Sequence, residues 1–446
     1  MMLGKTVRKR KEFLSFAREE GSNVLRPVSY FNCDFRDGKL KGGLGIKPLV
    51  DSNGNPISVT FNGQLAGVYF ALINEGGGQE DSLMTFLVDA DDKLYRYNAD
   101  SGTAMPLVYL GKGIKQSAFR GEDRSIYNIF SGNSRAVATK DGSYFSTVFS
   151  GNLLGCCVCG KRYFVLHANG ELFYSAPFVP HPKGSEDVDG EGTLYLPAGY
   201  GEGRGMAEYG GKVYIFLQRG IFKLTVSAKA TDFTMEKIPY AGGEICLDSM
   251  AVMQKGVAFL ALDGVYLATE RGVERLCEGL RSLPYADTER CFVGRADGMA
   301  IIEYAVNEEG EAVKKRIAVD GDGRWYETER IGSFSGDECV VFNGDVCRYT
   351  AFGEDVQWVN EPYFTSEGLD FGTRKNKRLK TLRLRGKGTV KVQVNCGEKK
   401  RTYSLICRGG SAETRLLEKG EVFSFTLFPC EDAVVESMEI EYCEEK

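Results

Sequence analysis

Acid–base chemistry at neutral pH and zinc binding both lean on histidine, and this chain of 446 residues has two, His167 and His181. A serine–histidine–acid set therefore has no plausible base. Cys156, Cys157 and Cys159 cluster, but zinc needs a second ligand pair at a usable distance. His167 is the nearest candidate, on the other side of a strand, so reduced thiols are the better reading. Asp187, Asp189 and Glu191 around Gly190 form half of an acidic calcium loop; the further carboxylates and the closing glutamate are missing. Gly42-Gly43-Leu44-Gly45 is glycine-rich, yet Ile46-Lys47-Pro48 follows, and proline breaks the helix that a phosphate-cradling loop requires. A plain turn is expected there. No catalytic set, metal or cofactor emerges, and the chain reads as a non-enzyme.

One acidic segment, Asp320-Gly321-Asp322-Gly323-Arg324-Trp325, resembles the Asp-box of sialidase propellers. Its spacing is wrong, and a turn with an aromatic anchor fits better. A carbohydrate site would call on Trp325 and Trp358, the chain's two tryptophans, which are few for a sugar binder. A hydrolase would need carboxylates converging at a channel mouth, which one sequence does not display.

The most distinctive charge feature is Arg374 to Lys387, RKNKRLKTLRLRGK. It carries Arg374, Lys375, Lys377, Arg378, Lys380, Arg383, Arg385 and Lys387 with no acid among them. One reading is a solvated edge strand blunted by charge. The other is a stripe facing an acidic partner subunit or a nucleic acid passing by. Interleaved aromatics are absent, which argues against sequence-specific single-strand binding.

The elements that must carry these residues are hairpins. GKVYIFLQRGIFKLTV (Gly211 to Val226) turns at Arg219-Gly220, KGVAFLALDGVYLAT (Lys255 to Thr269) at Asp263-Gly264, and GKRYFVLHANGELFYS (Gly160 to Ser175) at Asn169-Gly170. Weaker copies are Ser82 to Asn98, Ser134 to Phe149, Gly298 to Asp320 and Glu338 to Thr350. Asp-Gly or Asn-Gly between alternating apolar runs is a strong hairpin signal. The turns fall near 91, 141, 169, 219, 263, 309 and 343, with gaps of 50, 28, 50, 44, 46 and 34. Most match the roughly 40–50 residues of a four-stranded propeller blade. The short gap suggests that turns 141 and 169 share a blade or that one blade is trimmed. Roughly five to seven blades are expected.

Met1 to Glu20 could form one short helix. Residues 1–50 otherwise read as an extended arm, 51–360 as the propeller, and 361–446 as a C-terminal β-sandwich or jelly-roll-like domain. In the last, Leu382 and Leu384, then Val390, Val392 and Val394, alternate with polar residues around a Gly386-Lys387-Gly388 turn. The fold class is therefore all-β.

Composition agrees. There are 55 glycines, 27 phenylalanines and 22 tyrosines against 12 prolines, as many short strands and tight turns require. A net charge of −5 provides no global basic field for nucleic acid. The 13 cysteines lack framework spacing and suggest a reducing cytoplasm. The basic Met1 to Lys11 is not followed by an apolar core of signal-peptide length, and no run of about 18 apolar residues marks a membrane span.

Three segments carry a resemblance. Asn23 to Ile46, ending DFRDGKLKGGLGI, resembles the opening of bacteriophage tail and head–tail connector propeller proteins. GKVYIFLQRGIFKL resembles their blade hairpin. Thr365 to Gly372, followed by Lys377-Arg378-Leu379, resembles the strand entering their C-terminal sandwich. The resemblance is to podovirus tail-nozzle and packaged-DNA-stabilising tail proteins. The resemblance implies a structural virion protein, assembled in the host cytoplasm. It would be a homo-oligomer, a hexameric ring, bound to other tail or connector proteins, with non-specific DNA contact in its channel. The alternative is a propeller-based carbohydrate- or protein-binding module.

Overall fold

Period-two alternation of apolar residues, punctuated by left-handed turn residues, runs along nearly the whole chain, and strands form wherever it does. The structure is a computed structural model. It describes residues 9–16, 24–35, 37–50, 56–57, 65–76, 80–98, 101–181, 190–277, 292–308, 311–331, 333–335, 339–343, 345–350, 356–430 and 433–444. Asp187, Asp189 and the Glu309-Gly310 turn lie outside the described residues.

Two units emerge. One comprises residues 48–325 and 332–349, the other 1–47, 326–331 and 350–446. The first is a seven-bladed β-propeller. Its four-stranded sheets begin at Leu65, Lys115, Leu153, Gly203, Ile245, Phe292 and Ser333. A strand from the N-terminal side of the chain, ending at Pro48, is the fourth of blade 7. Just beyond it, Leu49 N–H donates to the Val346 carbonyl, and Val346 N–H donates to Ile57. This joins the two ends of the ring. The first strands of blades 2 to 6 pack against one another in order, and blade 7 packs against blade 1. The core lies between blades. Phe164, Leu166, Ile215 and Phe222 fill the seam of blades 3 and 4, and Tyr214, Phe216, Phe259 and Tyr266 that of blades 4 and 5. Burying a large side chain contributes about 1.5–3 kcal/mol, and each seam buries many.

All seven expected turns fall in different blades. Turns 91, 169, 219, 263 and 343 join second to third strands, and so do the strands flanking 309. Turn 141 joins the third and fourth strands of blade 2, where the second-to-third connection is Gly132-Asn133-Ser134. The short gap thus compares two kinds of turn, and 141 and 169 do not share a blade.

The second unit is built around a 12-stranded sheet system. Along its main path lie Lys9–Phe16, Val434–Glu444, Lys377–Cys396, Ser424–Pro429, Tyr363–Ser366 and Pro27–Phe31, each bonded to the next. Residues read as an arm supply several of these strands. Residues 9–16, expected in a short helix, form a strand antiparallel to Val434–Glu444, and Leu14 and Phe16 are buried at alternate positions. Cross-strand pairing overrides the local helical pattern there.

Gly386-Lys387-Gly388 does not reverse the chain. Lys377–Cys396 is one 20-residue strand. Before the glycines it pairs with Ser411–Arg415 and Val434–Glu444, and after them with Lys399–Cys407 and Ser424–Pro429. A register shift between Arg385 and Gly386 bends it from one sheet into the other.

Candidate ligand site in the central channel

The first strands of blades 1 to 6 line a central channel. In blades 1, 3 and 4 this strand carries a one-residue bulge, between Leu65 and Gly67, Leu153 and Gly155, and Gly203 and Gly205. The glycines permit close approach. A Cβ on Gly155 would lie 2.9 Å from the Met206 backbone nitrogen, and one on Gly205 2.6 Å from Met250 Sδ.

Blade 5 departs from this pattern. Its first strand advances five residues, from Ile245 to Met250, while its partner advances two, from Ala261 to Phe259. Three extra residues bulge out. Ser249 is fully buried and pins them: its hydroxyl lies 2.8 Å from the Cys246 carbonyl it donates to and accepts from Leu260 N–H. Leu247, 38% exposed, and Asp248 are carried toward the axis. Asp248 takes a left-handed backbone, φ 50°. Strain of this kind in a non-glycine residue costs about 1 kcal/mol or more and is concentrated at functional sites.

Asp248 meets Lys115, the first residue of blade 2's first strand, in an ion pair that bridges the channel. Both side chains keep about a third of their surface open, 35% and 36%. Burial pulls the Lys115 ammonium down, but the Asp248 carboxylate more than offsets it, so its pKa is held above that of an ordinary lysine. The channel around the pair has a volume of about 620 Å³, with Glu208 and Arg295 also on its wall. A connected mouth of about 440 Å³ is lined by Lys112, Lys115, Asn133, Leu154, Leu247 and Asp248. Tyr69 is the aromatic on the channel wall; it is buried, and its hydroxyl donates to the Ile114 carbonyl at 2.6 Å.

The residues singled out from sequence lie elsewhere or serve packing. Cys156, Cys157 and Cys159 share the first strand of blade 3 and are buried; burial pushes all three thiols up, Cys159 to about 12. Protonated thiols are poor nucleophiles and poor metal ligands. Cys156 sits on the channel wall beside the Tyr163 and Ser131 hydroxyls. His167 lies against the rings of Phe149 and Phe173 and accepts Asn169 N–H, and His181 does not line the channel. Among the described residues, no three of His, Cys, Asp or Glu gather to hold a metal.

Gly42-Gly43-Leu44-Gly45 is filled by protein. Gly43 N–H donates to the Asn32 carbonyl at 2.7 Å, and a Cβ on Gly42 would strike the Trp358 ring at 2.4 Å. Trp358 donates its indole N–H to Gly43, and Trp325 packs on the core of blades 5 and 6, so neither tryptophan is a sugar platform. Asp320 closes a turn, accepting Asp322 N–H and Arg324 N–H. Asp89 closes another in the same way, with Asp91 and Lys93.

The basic stripe proves heterogeneous. Lys377 is fully buried and donates to the carbonyls of Thr373, Lys375 and Glu421 at 2.6–2.8 Å. Arg383 pairs with Glu413 and Glu439 on neighbouring strands. Arg374, Lys375, Arg378, Arg385 and Lys387 are exposed, and Lys380 is half-buried. Between Thr381 and Arg385 the strand is not at an edge; it has neighbours on both sides.

No family model matches the sequence, and no curated protein matches it. Among solved structures, the chain is similar to a catalytically inactive virginiamycin B lyase from Staphylococcus aureus with quinupristin. That similarity has 11% identity and a TM-score of 0.41, covering 69% of this chain and 96% of the other. BBS1N in complex with ARL6DN gives 10%, 0.39, 68% and 96%, and human WBSCR16 13%, 0.35, 66% and 89%.

Proposed function

We propose that this protein is a propeller-based binding module whose ligand, a polypeptide segment, docks at the channel mouth beside blades 2, 3 and 5. One observation carries the reading: the enlarged bulge of blade 5 holds a left-handed Asp248 and a partly exposed Leu247, where blades 3 and 4 close tightly on Gly155 and Gly205. Charged and apolar groups side by side at a concave mouth suit a protein side chain. A polypeptide is favoured over a sugar because the mouth offers no aromatic face among its described residues. No histidine is among the described residues lining the channel or its mouth, and binding accounts for the site better than turnover does.

The test is selection of a displayed random-peptide library on the full chain. Enriched sequences that fail to bind Leu247→Asp support the reading. No enrichment, or equal binding to that variant, overturns it. A glycan array on which Lys115→Met loses its hits would favour the carbohydrate form of the module.

A second reading, the ring-forming tail or connector component, rests on the resemblance of Asn23 to Ile46, the Gly211 to Leu224 hairpin and Thr365 to Gly372. A native mass of several copies would support it.

A further inference from the structure

We propose that the channel mouth recognises a carboxylate group, and that Asp248 occupies the place of that group until the ligand arrives. The inference rests on the mouth being the binding site.

The charge at the mouth is asymmetric. Its described lining carries two cations, Lys112 and Lys115, one carboxylate, Asp248, and the buried thiol of Cys156, while Asp92 on the channel side interacts with Lys112. Lys112 is exposed and makes no ion pair among the described residues. Lys115 gives one bond to Asp248, leaving further N–H donors of its ammonium facing the channel. Asn133 adds an amide at the same rim. With Asp248 withdrawn, the Lys115 ammonium would face the opening without its carboxylate partner, a setting that selects a carboxylate from the ligand.

The two partners are not equally fixed. Lys115 stands on a regular strand, paired in register with Ser131. Asp248 stands on the three-residue bulge in a left-handed conformation. Exchanging its carboxylate for one from a ligand conserves the ion pair to Lys115. Asp248 is thus the displaceable member. A cationic ligand would instead have to displace Lys115, which is anchored and has Lys112 as a neighbouring like charge.

Calorimetric titration of the full chain with a hexaglutamate peptide tests this, with succinate as a second arm. The wild type should bind weakly, Asp248→Asn at least tenfold more tightly, and Lys115→Met not measurably. Near-UV circular dichroism confirms that each variant is folded. Binding of both ligands identifies a carboxylate alone as the recognised unit; binding of the peptide alone identifies an acidic polypeptide. Equal or weaker binding by Asp248→Asn, or unchanged binding by Lys115→Met, overturns the proposal. Selected peptides that bind the mouth while hexaglutamate and succinate do not would also overturn it, and would leave the binding-module reading standing.

Discussion

Lys115 of blade 2 and Asp248 of blade 5 are 133 residues apart in sequence and bonded to each other inside the channel. Neither strand's own pattern announces the pair. Only a ring that returns the first strand of every blade to one axis brings them together.

That pair makes stability depend on alkali. The Lys115 pKa is raised above the ordinary lysine value, so its contribution is fully present below about pH 10.4 and is lost as pH rises through the folded value. A third of each side chain is open to solvent, so screening keeps the effect small. Thermal unfolding followed from pH 8 to pH 11 should show a steeper fall above pH 10 for the wild type than for Lys115→Met.

Acid acts on a different group. The Ser125 hydroxyl, followed by the Lys140 ammonium and Ser125 N–H, holds the Asp123 carboxyl down to about 2. Its contribution is present above about pH 4 and is lost as pH falls through 2. Carbon-detected NMR titration should place the Asp123 carboxyl near 2, and Lys140→Met should move it upward.

Gly386→Ala should destabilise the sandwich unit by roughly 3 kcal/mol. A Cβ there would lie 1.8 Å from the Val434 carbonyl oxygen, and φ is 145°. Backbone cannot move aside as a side-chain tip can. Denaturant unfolding should show the transition of this unit shifted, while a matched Gly397→Ala, with open space around it, shifts less.

Lys377→Met should cost about 3 kcal/mol, because three carbonyls lose a buried donor at once. Lys375→Met, which removes an exposed charge two residues away, should change unfolding by under about 0.5 kcal/mol. Equal effects from the two would refute the brace.

Much of the architecture was legible locally. Hairpins such as Gly211 to Val226 declare themselves because both the alternation and the turn chemistry act over a few residues. Blade 2 was misjudged because its inner turn, Gly132-Asn133-Ser134, lacks the Asn-Gly signature, whereas Asp141-Gly142 one strand later has it. The Gly386-Lys387-Gly388 reading failed for a related reason: glycine marks a bend between sheets as readily as a reversal. A signal for Asp248 did exist. The blades' first strands open on Leu65-x-Gly67, Leu153-x-Gly155 and Gly203-x-Gly205, and blade 5 replaces glycine with Cys246-Leu247-Asp248-Ser249. It can be read only after the blades have been aligned by their structure.

By itself the sequence determined that the protein is all-β and repeats in units of blade size. Alternation, turns and composition are local properties, and a single chain displays them. Tertiary structure alone decided the number of blades, the burial of Lys377 within a largely exposed basic run, and the meeting of Lys115 with Asp248. Those depend on ring closure and on which side chains the sheets turn inward, and both are set by contacts between residues far apart in the chain.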